Sequence, residues 1–494
     1  MDPSGELNMR GISRYEAKAS SSDNSGVEAP ANNKDGLPTS PASYKRIAVH
    51  VKSTLEIDPF STLEDGENDI QYKNLSWWQC SFIMLAETVS LGILSLPYTL
   101  EILGVIPGVI LIVALGILSA YTGMEYGMLR NAHPGITSIG DAFRIVFAPL
   151  GHRLGINWAW FGQCVGDISQ LLFMTFLMAS HVLTWTIALN NVGGRICSIW
   201  YGIIGTAVFI LLGLPRTLKC ISYLSVLSAL SVFIAVLVTM ISLGMTMPST
   251  GLTGTNPYHL WPINPPPFYE VFLVVTNIVF AYAGHAAYFN FITELKNPRE
   301  FPKSLALLQT IDIVLYSVSA VVIYIFAGSH VESPALNSTS HHVQIAAWCI
   351  ALPTILIAGV IYGHVITKDI FLRFFKGTRH ITKNTRKGKI SWVAIVLVIW
   401  VVAWVLSESI ADFNTMLGLI VTLFGSWFTY GAPGIFWLFL NHGRYTLSWK
   451  TKLLTCLNII LVAMGAAIFG LGIYSTSYSI HRNAQRGRGW KCLE

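Results

Sequence analysis

Long apolar runs recur from residue 77 almost to the C-terminal end of the chain, and charged residues lie mainly in the short breaks between them. A helix that crosses a bilayer needs about 20 apolar residues. Inside the bilayer every backbone N–H and C=O must be bonded within the protein, so only helices and closed barrels span it. The runs lack the apolar–polar alternation of barrel strands. The pattern therefore predicts an α-helical protein that crosses the membrane many times.

Composition excludes a set of soluble domains, although 494 residues would suffice for several. Hydrophobic residues make up 53% of the chain and charged residues 12%, about half the charged share of a soluble protein. The net charge of +6 reflects where Lys and Arg lie in the loops, not a nucleic-acid partner. No spacing typical of a metal site, a nucleotide loop or a soluble enzyme occurs. We therefore expect no enzyme activity, no metal, no cofactor and no nucleic-acid partner.

Eleven runs have the length of a membrane helix, which predicts eleven spans. They lie at residues 77–103, 105–129, 154–189, 198–214, 220–247, 268–295, 303–328, 343–371, 391–411, 413–440 and 452–476. The third run is long enough to raise the question of two spans. Because no Pro or Gly-rich turn interrupts it, we predict one long, tilted helix.

The division of the chain follows from these runs. Residues 1–72 are polar and rich in Ser, Asn, Asp and Pro, which predicts a disordered tail without a cleavable signal peptide. The expected parts are then a five-helix repeat at 73–247, a second at 248–440, a loop with the eleventh helix at 441–476, and a C-terminal tail at 477–494.

Lys and Arg predict the orientation, because they concentrate on the cytoplasmic side. With the N-terminal tail in the cytoplasm, the inner loops hold 19 of them, and the outer loops and C-terminal tail hold five. The sequon at Asn337 then lies outside, where it is a candidate for glycosylation. Cys197 and Cys349 also lie near the outer face, and the sequence leaves open whether they pair.

The first and sixth predicted spans each contain helix-weakening residues at mid-membrane. Gly92 and Pro97 lie in the first span, and Gly284 and His285 in the sixth. Matched breaks in the first helix of each five-helix half are typical of inverted-repeat transporters, whose unwound peptide groups bind substrate and ions. The alternative is that these residues only kink or pack the helices.

Three motifs resemble the amino acid/auxin permease family: SLGILSLP in the first span, FAYAGH in the sixth and ELKNPREFPKSL after it. The sequence is most similar to fungal permeases for neutral aliphatic and aromatic amino acids. The resemblance implies an all-α, LeuT-like fold with two inverted five-helix repeats, broken helices 1 and 6, an eleventh helix, and proton-driven uptake. Ser90 stands where many members have Gly. Ala86 stands where sodium-coupled relatives tend to have Asn, which favours protons over sodium.

On this interpretation the two breaks hold the main-chain groups of an amino acid, and aromatic residues shape the side-chain pocket. The candidate substrate-binding residues are Thr88, Ser90, Leu91, Gly92, Phe280, Tyr282, Ala283 and Gly284. Phe280 and Tyr282 are also compatible with simple packing.

Ionisable residues inside membrane helices are candidates for proton coupling. Glu87 comes first because it precedes the expected break in helix 1, His285 second because it lies at the break in helix 6, and Asp167 third. The alternative for His285 is a hydrogen bond to a neighbouring carbonyl. Further intramembrane acids are Glu125, Asp312 and Glu408.

The expected partners are an amino acid, a proton and the lipid bilayer. The plasma membrane is the expected location and the vacuolar membrane the alternative. Lys18 and Lys34 in the tail are candidate ubiquitin sites. A second hypothesis is an amino acid sensor with a transporter fold, which signals through the tail. An intramembrane enzyme would need a cluster of His, Asp or Ser residues, and the sequence suggests none.

Overall fold

The computed structural model describes residues 73–153, 156–193, 196–216, 218–246, 258–262, 265–375, 378–381, 383–410 and 412–485. The predicted tail 1–72, with Lys18 and Lys34, lies outside the described residues, as does the last part of the predicted C-terminal tail.

The first half of the chain contains six helices and one short hairpin. The helices are α1 (Trp77–Leu103), α2 (Val105–Ala132), α3 (Ile139–Phe147), α4 (Trp158–Gly193), α5 (Ser198–Leu212) and α6 (Leu218–Thr246). A 3₁₀ turn (Ala148–Leu150) and the antiparallel strands β1 (His152–Arg153) and β2 (Ile156–Asn157) connect α3 to α4. The long third span is one helix of 36 residues, as predicted. The short α3 is not among the predicted elements.

The second half begins with a broken span. Its elements are α7 (Phe268–Ala281), a 3₁₀ turn (Gly284–Ala287), α8 (Tyr288–Glu294), a 3₁₀ turn (Pro298–Glu300), α9 (Phe301–Ala327), 3₁₀ turns (Gly328–His330 and Ala335–Ser338), α10 (His341–Phe374), α11 (Arg386–Ser409), α12 (Phe413–Ile420), π-helical turns (Val421–Gly425 and Trp427–Gly431), α13 (Ala432–Leu440) and α14 (Trp449–Gln485). The last helix runs past the predicted end at residue 476.

Each of the eleven predicted runs contains helix. Within the described ranges, nine helical stretches are long and apolar enough to cross a membrane. The bent pair Phe413–Gly425 and Trp427–Leu440, with a 41° bend, makes a tenth span, and Ser198–Leu212 is a shorter apolar helix. The predicted all-α membrane architecture is therefore confirmed.

Helix α1 lies at the centre of the bundle. In its most apolar window 94% of the residues are buried, against 28% for α14. Helices α6, α7, α9 and α10 pack around α1. The outer helices instead present apolar side chains such as Leu453 and Ile460 outward, which is the face expected toward lipid tails.

The predicted break in the first span is wrong for this conformation, since α1 is a continuous helix from Trp77 to Leu103 with Pro97 inside it. The predicted break in the sixth span is present between α7 and α8. Gly92 allows the closest approach of the two spans: a Cβ on this residue would lie 2.6 Å from Cα of Ala281. Its role here is close helix packing, because nothing larger than hydrogen fits at that point.

A buried ionic network joins three helices at one end of the bundle. The Lys368 ammonium of α10 forms an ion pair with Glu294 at the end of α8, and both side chains are almost fully buried. The adjacent Asp369 carboxylate accepts hydrogen bonds from Nε2 of Gln170 (2.8 Å) and Nδ2 of Asn290 (3.3 Å). These contacts hold α4, α8 and α10 together, since an unpaired charge in this environment is costly.

Replacing Lys368 by Met removes the counter-ion that Glu294 contacts, so we expect the free energy of unfolding to fall by about 3–5 kcal/mol. The matched control is Lys303→Met, because Lys303 pairs with Glu300 at the surface and its side chain is 63% exposed. That variant should lose less than about 1 kcal/mol. Denaturant unfolding of the purified protein in detergent micelles measures both, and equal losses would contradict the importance of the buried pair.

Replacing Gly92 by Ala should push α1 away from Ala281 and destabilise the protein by about 1–3 kcal/mol, as overpacking does. Gly470 of α14 is the matched control, because a Cβ there would meet nothing within 4 Å. Gly470→Ala should be neutral or stabilise by up to about 1 kcal/mol through the helix preference of Ala. The same unfolding measurement compares the two, and a G92A protein as stable as G470A would refute the close packing.

Candidate functional site

The break between α7 and α8 is held open by side chains of other helices. Tyr282 and Ala283 leave the α-helical conformation, and their N–H groups bond to Val279 O (3.1 Å) and Phe280 O (3.0 Å) in tighter turns. The Tyr316 hydroxyl of α9 donates to Ala281 O (2.9 Å). Neighbouring helices thus satisfy carbonyls that an unbroken helix would bond internally.

On the facing side, α1 satisfies its own backbone. The hydroxyls of Thr88, Ser90 and Ser95 donate to carbonyls of the same helix, at Met84 O (2.9 Å), Glu87 O (3.3 Å) and Gly92 O (2.9 Å). Such back-bonding residues offer the helix carbonyls an alternative to the regular ladder. The segment around Ser90 is helical here, and it carries hydroxyl groups that can bond its carbonyls without the regular ladder.

A polar cluster on the α4 and α10 side of α1 joins three helices. Nε2 of His181 in α4 lies 3.1 Å from Oγ of Ser90, and its Nδ1 lies 2.8 Å from Leu177 O. The Tyr362 hydroxyl of α10 donates to Glu87 O (3.1 Å), and its ring centroid lies 5.4 Å from that of His181. Neither His181 nor Tyr362 is among the predicted residues. The available signal was the titratable His in the middle of the long apolar third run.

Glu87 lies where the sequence predicts an intramembrane acid. The residue is 2% exposed, and its carboxyl oxygen Oε2 has no hydrogen-bond partner among the residues that the structure describes. It electrostatically affects both Tyr288 of α8 and Tyr362 of α10. Because the Tyr362 hydroxyl donates to Glu87 O, the residue lies where α1 and α10 meet.

His285 contacts α2. Its Nε2 lies 3.0 Å from Oγ1 of Thr122 and 3.2 Å from Ser119 O, and its ring packs against Tyr126 and Tyr288. The hydrogen bond to a neighbouring carbonyl, which the sequence left as the alternative, is present. His285 lies at the break, but this contact directs its Nε2 to α2.

Asp167 does not belong to this site. Its carboxylate forms an ion pair with Arg373 near the end of α10, with side chains 22% and 37% exposed. Along α4 it precedes His181 by 14 residues, about 21 Å of helix. A partner remote in sequence thus holds Asp167 at one end of the bundle, away from the break, and its role in proton coupling stays a prediction.

The remaining predicted substrate residues surround the α1–α7 contact. Leu91 is buried, Phe280 is 7% exposed and Ala283 is 6% exposed. A Cβ on Gly284 would lie 2.8 Å from Cγ2 of Thr88. Tyr282 instead directs its hydroxyl to Ile112 O of α2 (3.0 Å).

Two expectations for the outer side concern the glycosylation of Asn337 and the pairing of Cys197 with Cys349. Oδ1 of Asn337 accepts hydrogen bonds from Nε2 of Gln344 (3.0 Å) and Nε1 of Trp348 (2.9 Å). Its glycosylation stays a prediction. Cys197 is disulfide-bonded and Cys349 is a free thiol, so these two do not pair.

Comparisons with known proteins agree with this architecture. The sequence model of the family described as "Transmembrane amino acid transporter protein" matches residues 73–478. The "N amino acid transport system protein" of Neurospora crassa is 30% identical over 429 residues, which cover 86% of this chain and 89% of the relative.

Solved transporter structures share the fold. A Na⁺-coupled sialic acid symporter in a substrate-bound, outward-open state has a TM-score of 0.51 at 13% identity, covering 91% of this chain and 99% of the symporter. MhsT in complex with L-phenylalanine has a TM-score of 0.53 at 14% identity, covering 82% of this chain and 100% of MhsT. These likenesses confirm the predicted LeuT-like fold. The family model and the Neurospora relative show that the chain belongs to the transmembrane amino acid transporter family, as its resemblance to amino acid/auxin permeases implied.

Proposed function

We propose that the protein imports neutral aliphatic and aromatic amino acids together with protons, by alternating access. The observation that carries the proposal is the broken span, whose peptide groups lie across from the Ser90–Gly92 segment of α1. Peptide groups of this kind bind the carboxylate and ammonium of an amino acid. The predicted lining residues Leu91, Phe280 and Ala283 carry no charge, which suits a neutral side chain.

The continuous α1 is one conformation of the transport cycle in this proposal. Direct packing of Gly92 against Ala281 leaves no room for a substrate between them at that level. Substrate entry therefore requires α1 to move or unwind near Ser90, and the hydroxyl groups of this segment can then replace the lost ladder bonds. Thr88, Ser90, Leu91 and Gly92 would contact the substrate from α1 after that change.

Coupling to protons is supported by two features. Ala86 stands where sodium-coupled relatives tend to have Asn, and buried carboxyl oxygens without a hydrogen-bond partner among the described residues lie beside the break. Glu87 and His285 remain candidates for binding the proton. Of the two, Glu87 has the free carboxyl oxygen, and the Nε2 of His285 is already bonded to α2.

We also propose the plasma membrane as the location, with the N-terminus in the cytoplasm. The excess of Lys and Arg in the predicted inner loops supports the orientation. The vacuolar membrane is the alternative location. Lys18 and Lys34 are the proposed ubiquitin sites, and imaging of a tagged chain with and without these lysines checks the location and the endocytic role.

Purified protein in liposomes should accumulate labelled leucine or phenylalanine when the outside is more acidic than the inside. A protonophore should abolish the accumulation, and a sodium gradient at equal pH should not replace the pH gradient. Protein-free liposomes are the control. Uptake that ignores the pH gradient would remove the proton coupling, and failure to transport any amino acid would remove the function.

Replacing Ser90 by Ala should raise the KM for uptake by about 2–10-fold, the loss expected for one hydrogen bond at a substrate site. Ser95→Ala is the matched control, because the Ser95 hydroxyl is similarly buried and donates to Gly92 O of its own helix. Initial rates over a range of substrate concentrations measure both variants. An unchanged KM in S90A, or the same rise in S95A, would argue against substrate contact at Ser90.

A further inference from the structure

We propose that Asp312 of α9 binds the proton that travels with the amino acid, and that Thr88 transmits its protonation state to α1. The inference rests on the proposed proton symport and assigns that role to a residue other than the first sequence candidates. It follows from the contacts of Asp312, because this carboxyl touches α1 directly beside the broken span.

Asp312 is fully buried and has few partners. The Thr88 hydroxyl donates to its Oδ2 at 3.3 Å. Its Oδ1 has no hydrogen-bond partner in the described part of the chain, and no Lys, Arg or His of that part lies within ion-pairing distance. A buried carboxylate with one shared hydroxyl donor is poorly compensated, whereas a neutral carboxyl needs no counter-ion. Binding a proton therefore allows this carboxyl to stay inside the closed bundle.

Thr88 connects this carboxyl to both spans of the candidate site. Its hydroxyl is shared between Asp312 and Met84 O of its own helix (2.9 Å). Its methyl group faces Gly284, where a Cβ would lie 2.8 Å away. A full charge on Asp312 would compete for the hydroxyl hydrogen that Thr88 shares with Met84 O. The protonation state of Asp312 thereby acts on α1 within one turn of Ser90.

Helix α9 also contacts the break itself. Tyr316 lies one helical turn after Asp312 on the same face, and its hydroxyl holds Ala281 O (2.9 Å). One turn before, Gln309 donates to Oγ of Ser119 in α2 (3.2 Å), and its Oε1 is unpartnered within the described ranges. This face of α9 therefore contacts α1, α2 and the broken span.

Within the described ranges, no positively charged group pairs with Asp312. Tyr282 and Tyr288 of the broken span and Tyr316 of α9 interact with it electrostatically, and Tyr288 also interacts with Glu87 of α1. Helix α2 presents small or uncharged residues to α9, such as Ser119. Helix α6 has no charged residue from position 221 to 246. The proton is then the cation that neutralises this region.

The other candidates lack this connection. No hydrogen bond from the Glu87 carboxyl to another helix is present among the described residues, His285 is bonded to α2, and Asp167 is paired with Arg373. In the proposed step the Asp312 carboxylate takes a proton from outside water and forms an O–H bond. That bond breaks on the inner side, where the proton returns to water, so the carboxylate is regenerated and one proton has crossed.

The test uses the full chain in liposomes and compares D312N with E87Q. Three readouts apply: accumulation driven by a pH gradient, proton influx induced by the amino acid, and counterflow exchange at equal pH. In D312N the first two should fall by at least about tenfold, and counterflow should stay within about threefold of the unmodified protein. E408Q is the matched control, since Glu408 is a buried acid on α11, and it should keep all three activities.

Thr88 provides a second variant pair in case D312N fails to fold. Because Thr88 is also a proposed substrate contact, T88V should reduce gradient-driven accumulation at least about threefold more than it reduces counterflow, and T88S should restore both. T239V is the control, because the buried Thr239 hydroxyl donates to Ala235 O of its own helix α6 (2.9 Å). A merely structural role would reduce counterflow and gradient-driven uptake equally.

Each result bears on the inference. Gradient-driven accumulation and proton influx that persist in D312N would overturn it, and so would their loss in E87Q alone. The same loss in E408Q would show that any buried acid has this effect and would also overturn it. Amino acid counterflow without proton influx in the unmodified protein would refute the proposed symport itself, whereas the absence of any transport would refute the proposed function.

Discussion

The contact on which the site depends is the backbone-to-backbone packing of α1 against the broken span. Gly92 has no side chain, so its backbone reaches Ala281, and the neighbouring Thr88 reaches Gly284. The break can persist inside the bundle because side chains of neighbouring helices donate to the freed carbonyls, such as Tyr316 to Ala281 O. The backbone hydrogen bonds of α1, Gly92 and the Tyr316 hydroxyl thus together set how the two spans pack. A change in any of them alters how the two spans face each other.

Polar groups in this apolar protein are concentrated where helices must keep a defined relation. At one end of the bundle, Lys368 and Glu294 form a buried pair, and the backbone of Leu75 bonds to that of Glu294 (3.0 Å) just before α1 begins. The start of α1 is therefore tied to the end of α8. Near the break, the polar contacts described above are hydrogen bonds, such as those of Tyr316 and His285. The buried ion pair holds the helices together at that end of the bundle. The weaker contacts beside the break leave α1 freer to change conformation.

The main difference between expectation and structure is the continuity of α1. Gly92 and Pro97 weaken the ladder of α1 locally, yet the helix is continuous, whereas Gly284 and its neighbours do interrupt the sixth span. The local sequence of a helix affects how easily that helix unwinds. Whether it does so depends on a partner that takes over the freed groups, such as Tyr316 at Ala281 O. In a transporter that partner includes the substrate, so a helical α1 and an unwinding segment are compatible.

The apolar spans, the one long third helix, the position of the break in the sixth span and the family could all be predicted from the sequence. The spans follow from local information, since an apolar run of sufficient length must form its own hydrogen bonds in lipid. The contacts between polar side chains could not be predicted in this way. Ser90 and His181 are 91 residues apart, Thr88 and Asp312 are 224 apart, and Asp167 and Arg373 are 206 apart. Such pairs are set by the packing of whole helices, and the rotation of each helix about its axis is not encoded in its apolar run alone.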